Sequence, residues 1–75
     1  NKQAEAEERR RLRKKQALEE EMAALEDEIA RLEAEILDEK NSNDYELLAE
    51  IGISIENAKA KHDELFEEWM LLEEI

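Results

Sequence analysis

Six of the seven residues from Arg9 to Lys15 are cations: Arg9, Arg10, Arg11, Arg13, Lys14 and Lys15. A cluster that dense is what phosphate-binding surfaces use, because each neutralised phosphate releases condensed counterions. The same run also reads as a solvated helix end offsetting Glu67, Glu68, Glu73 and Glu74 across a hairpin, and no aromatic residue interleaves it to separate the two readings. His62 is the single histidine, the chain has no cysteine and its many carboxylates decorate solvated faces without converging, so His62 makes a poor transition-metal site and reads as structural or register-setting. Phe66 and Trp69 offer rings on which a base can stack, but Trp69 falls at a core position, which favours packing. Tyr45 is less committed and presents either a loop-packing ring or an aromatic tip for a partner. Ser42 and Ser54 have no base within helical reach to make a nucleophile of them. The many carboxylates need a cleft that shifts their pKa values before they can do acid–base work, and nothing in the pattern builds one. The chemistry points to binding, with no catalytic residue and no metal or cofactor ligand in this segment.

Elements must hold these residues, and the composition says which kind. The chain has 75 residues, no Pro, one Gly and 45% charged residues. It is rich in Ala, Glu, Lys, Leu and Arg, the usage of long helices and coiled coils. A glycine-rich phosphate loop and a disulfide framework are excluded. No apolar run approaches the roughly 18 residues of a membrane span, and the charged start lacks a signal peptide's apolar block. A start at Asn1 rather than Met suggests a segment of a longer protein.

Apolar residues recur at alternating spacings of four and three along Leu18, Met22, Leu25, Ile29, Leu32 and Ile36. A second seam runs through Leu48, Ile51, Ile55, Ala58, His62, Leu65, Trp69 and Leu72. Each is a heptad a/d stripe, the mark of an amphipathic helix whose one face meets another helix. The stretch from Asp38 to Asp44 has no seam and is rich in turn formers. A connection that short folds the second helix back along the first. The expected fold is all-α, a two-helix antiparallel coiled-coil hairpin, with helices over about 12–39 and 44–75 and a turn over about 40–43. Asn43 is the expected N-cap of the second helix, with Glu46 closing a capping box and Asp44 at the first helical position.

An apex at Asn43 and Asp44 pairs Ile36 with Ile51, Leu32 with Ile55, Ile29 with Ala58 and Leu25 with His62. It continues with Met22 against Leu65, Leu18 against Trp69, Lys15 against Leu72 and Leu12 against Ile75. Residues 1–11 then have no opposing helix and are expected to be unpaired or frayed. Helices of about 30 residues make a rod of about 45–50 Å.

Charge is unevenly shared. Residues 1–15 hold seven basic and three acidic groups, a net of +4, and residues 16–75 hold four basic and twenty acidic ones, a net of −16. An acidic rod repels a phosphate backbone along most of its length, which confines any nucleic-acid contact to the basic segment. Leu37, Leu47, Ile53, Phe66 and Leu71 lie off the seams and suit a face for self-association or for docking on a neighbouring domain.

The stretch LEEEMAALEDEIARLEAEI, the Asp44-Tyr45 start of the second helix and the Leu65…Glu68-Trp69…Leu72 ending together resemble the C-terminal domain of ABC-F proteins of the Uup-like type. The resemblance covers residues 9–75. It implies an antiparallel coiled-coil hairpin appended to two ATP-binding modules that act on the ribosome. It also implies a cytoplasmic location away from the membrane, and contact with DNA, ribosomal RNA or the ribosome, with ATP and Mg held by the parent's ATPase modules. The reading of another class is a structural or protein-interaction hairpin that binds no nucleic acid.

Overall fold

The computed structural model describes residues 1–74. Helix α1 spans Lys2–Leu37 and helix α2 spans Tyr45–Glu73, joined by a 3₁₀ turn at Glu39–Asn41. The two pack against each other as an all-α antiparallel hairpin, the architecture that the two heptad seams predict.

Helix α1 starts earlier than expected. Asn1 caps it, its side-chain oxygen accepting the Gln3 N–H at 2.9 Å, and the first helical hydrogen bond runs from the Glu5 N–H to the Asn1 carbonyl at 3.1 Å. Residues 1–11 are therefore helical. Lys, Gln, Ala, Glu and Arg are among the best intrinsic helix formers, and here propensity, a cap and a Glu8–Arg11 pair one turn apart sustain a helix with little tertiary cover. At 1.5 Å per residue α1 is about 54 Å long and α2 about 44 Å. The whole molecule measures 63 × 15 × 13 Å, longer than a rod of two equal helices.

The turn also differs in detail. Helix α1 ends at Leu37, and Asp38 leaves it in an extended conformation with φ −71° and ψ 122°. The Asp38 carboxylate accepts the Lys40 N–H at 3.0 Å and so starts the 3₁₀ turn. The Glu35 carbonyl near the end of α1 accepts both the Asp38 N–H at 3.3 Å and the Asn41 side-chain amide at 2.9 Å, which ties the turn to the helix. The N-cap of α2 is Asp44, whose carboxylate accepts the Leu47 N–H at 3.1 Å. Asn43, the expected cap, lies one residue too early because the 3₁₀ turn consumes an extra position. An ionised cap also suits the positive helix end better than an amide does.

The core is narrow. Leu18, Met22 and Leu65 form a buried cluster with Leu25, Trp69 and Leu72 packed against it, so residues of both seams meet in one core. Ile51, Ile55 and Ala58 are also buried. Among the described residues no large side chain is completely enclosed, since two helices cover each seam from one side only. Near the apex the cover is one-sided, with Ile51 4% exposed and Ile36 38% exposed. The expected pairing of Leu12 with Ile75 lies outside the described residues, and Leu12 itself is exposed.

Candidate nucleic-acid interface

The six cations of Arg9–Lys15 share one stretch of α1 but not one face. A helix turns 100° per residue, so residues four apart align and neighbours diverge. Arg11 and Lys15 turn toward α2. The Arg11 guanidinium donates to the Leu72 carbonyl at 2.9 Å and grips both oxygens of Glu8, at 3.0 and 2.6 Å. Lys15 pairs with Glu73, and its ammonium lies 5.4 Å from the centre of the Trp69 ring.

These two cations close the open end of the hairpin. Helix α2 has no basic residue in its last turn and carries Glu73 there, an unfavourable arrangement for the negative end of a helix dipole. Arg11 and Lys15 supply the missing positive charge from the other helix. The hydrogen bond from Arg11 holds the Glu8 carboxyl below its ordinary value of 4.5, and Glu8 in turn raises Arg11.

Arg9, Arg10, Arg13 and Lys14 remain exposed. Among the described residues none of the four enters an ion pair; Arg13 reaches only the Arg9 carbonyl, at 3.4 Å. Arg9 and Arg13 form one row and Arg10 and Lys14 the next, an arc away from α2 covering about 140° of the helix surface by the 100° rotation. Arg10 and Lys14 also edge a shallow depression of about 400 Å³ walled by Glu7, Glu8, Arg11 and Leu72. Its lining mixes three cations with two carboxylates, one of which, Glu8, is already held by Arg11.

The division of labour among the six has a readable signal. The heptad continued backward from Leu18 passes through Lys15, Arg11, Glu8 and Ala4, which puts Arg11 rather than Leu12 on the seam. The Leu72 carbonyl carries no such signal, because backbone acceptors are the same at every position.

The other candidates are placed apart. His62 is half-buried, with Nε2 3.0 Å from a Glu26 carboxylate oxygen. Phe66 stacks on Trp69 with ring centres 5.9 Å apart and planes at 19°. The Trp69 Nε1 is buried without a hydrogen-bond partner among the described residues. Tyr45 stands exposed beside the turn, and Ser42 and Ser54 are exposed. Among the described residues no group of three or more His, Cys, Asp or Glu could hold a metal ion, and no helix is long and apolar enough to cross a membrane.

Compared with protein families, residues 3–74 match the ABC transporter C-terminal domain. The chain belongs to this family. Neither the comparison with curated proteins nor that with solved structures gives a significant match. As an ABC transporter C-terminal domain, the hairpin is an accessory domain of an ABC protein, and the match takes in both helices and the whole basic cluster.

Proposed function

We propose that this hairpin is the accessory, non-catalytic C-terminal domain of a cytoplasmic ABC-F ATPase of the Uup-like type, and that it contacts DNA, ribosomal RNA or the ribosome through Arg9, Arg10, Arg13 and Lys14. One observation carries the reading. Four cations with no ion pair among the described residues stand on a free helical arc of a chain that is otherwise strongly acidic. Arg11 and Lys15 act indirectly, by fixing the angle at which α1 leaves the hairpin. ATP and Mg belong to the parent's ATPase modules, and this chain, with one glycine inside a helix, has no loop to cradle a nucleotide. Exposed Leu37 and Ile53 suit docking on those modules or on a second copy.

The contact is electrostatic, hence weak, sequence-independent and steeply dependent on salt. Electrophoretic titration of the chain with short duplex DNA and with ribosomal RNA fragments tests it. Replacing Arg9, Arg10, Arg13 and Lys14 by Gln should abolish retardation, removing the contribution of about 3–4 that four phosphate contacts make to the slope of log K against log salt in the native chain. Equal retardation by both chains would rule out the arc. No retardation by either would favour the structural or protein-interaction hairpin.

A further inference from the structure

We propose that the groove edged by Glu19, Glu26 and His62 and floored by Met22, Phe66 and Trp69 binds an arginine-bearing extended segment of a protein partner. The groove lies along the line where the helices meet and holds about 340 Å³. Its floor is apolar, and Phe66 is 47% exposed, an uncommon cost for an aromatic side chain in so narrow a molecule. Its α1 wall carries two carboxylates. Glu19 forms no ion pair among the described residues, and Glu26 uses one oxygen on His62 and keeps the other.

An open aromatic face beside a carboxylate suits a guanidinium, which stacks on the ring and pairs edge-on with the acid. The molecule already shows the first half of that recognition, since Lys15 sits over Trp69. Spacing narrows the partner further. Glu19 and Glu26 are seven residues apart on α1, about 10.5 Å along its axis. An extended segment in the polyproline II form rises about 3.1 Å per residue and brings every third side chain back to the same side, so arginines three apart, about 9 Å, would meet both carboxylates. The net charge of −16 over residues 16–75 draws a cationic segment to this surface and repels nucleic acid from it. The groove is thus a different site from the basic arc, with ligands of opposite charge.

Trp69 is the sole tryptophan and its emission reports on the groove. The test titrates the chain with a blocked six-residue alanine peptide holding two arginines three apart, and with the same peptide carrying citrulline. The arginine peptide should change Trp69 emission saturably, and the citrulline peptide should not. Glu19→Gln with Glu26→Gln should weaken binding about tenfold, the loss expected for charge-assisted pairs. Glu33→Gln with Glu50→Gln removes equal charge elsewhere and should change it less than about twofold. Phe66→Leu, which keeps the bulk without the π face, should weaken it about threefold, with circular dichroism confirming the helix. Equal weakening by the two Glu pairs would reduce the effect to diffuse attraction, and an unchanged emission would remove the site. Emission that changes with the chain's own concentration, together with a dimer in sedimentation, would seat a second copy's Arg9–Lys14 there and overturn the partner. None of these variants alters the basic arc, so this proposal and the nucleic-acid contact fail separately.

Discussion

The Arg11 fork holds a carboxylate on its own helix and a carbonyl on the other, so a single side chain ties α1 to the end of α2. Glu8 senses it. The Arg11 hydrogen bond lowers Glu8 in the folded chain, so its contribution is complete above the ordinary value of 4.5 and is lost as pH falls through the lowered one. In Arg11→Gln the Glu8 carboxyl resonance should titrate at higher pH than in the native chain, as followed by carbon NMR. An unchanged midpoint would show that the contact does not form in solution. The caps give a second residue-scale test. Asp44→Ala removes the acceptor of the Leu47 N–H and should cost about 1 kcal/mol. Asn43→Ala should cost only a few tenths of that, since Asn43 caps nothing. Urea denaturation of both variants checks this, and the reverse order would restore Asn43 as the cap.

Each helix is one face of a two-sided contact, and that is why the hairpin was legible. Burial against a single neighbour imposes a period of three and four, visible in Met22–Leu25–Ile29 and in Ile51–Ile55–Ala58, and a seven-residue interruption can only turn the chain back. The extension of α1 to Lys2 was not legible from pairing, because intrinsic propensity and a cap produce it without a partner helix. The basic cluster was visible as composition, but its split into two closing and four exposed cations depends on helical phase. The Arg11 hydrogen bond to a backbone carbonyl had no signature at all. At this scale Leu65, 4% exposed between Leu18 and Met22, should be the costliest position, with Leu65→Ala losing about 2–4 kcal/mol. Gly52 points the other way. It lies inside α2, and nothing is within 4 Å of where a Cβ would sit. Gly52→Ala should therefore add about 0.5–1 kcal/mol. Thermal melts of the two variants decide, and a loss of stability in Gly52→Ala would mean that the α2 backbone is approached there by something outside the hairpin.

Across the whole molecule, charge and shape conflict. A rod 63 Å long and about 15 Å across holds twenty carboxylates and four cations beyond residue 15. Among the described residues its cross-helix ion pair is Lys15–Glu73, and His62 adds a hydrogen-bond contact with Glu26. Exposed pairs contribute about 0–1 kcal/mol each, so like-charge repulsion along the rod outweighs them. Repulsion of this kind acts over a Debye length, about 30 Å at 0.01 M salt and about 8 Å at 0.15 M. At the lower salt most carboxylates along the rod interact with one another, and at the higher only neighbours do. Adding salt should therefore stabilise the hairpin, although it screens the ion pairs as well. A gain of about 1 kcal/mol moves Tm by about 4–8 °C in a domain of this size, and circular dichroism melts between the two salt concentrations read it directly. The basic arc responds in the opposite sense, because its contact with phosphate weakens in the same salt. A rise in Tm with a simultaneous loss of nucleic-acid retardation would separate the two electrostatic roles within one chain. A fall in Tm with salt would instead show that the ion pairs at the open end, Arg11 with Glu8 and Lys15 with Glu73, govern the stability of the whole rod.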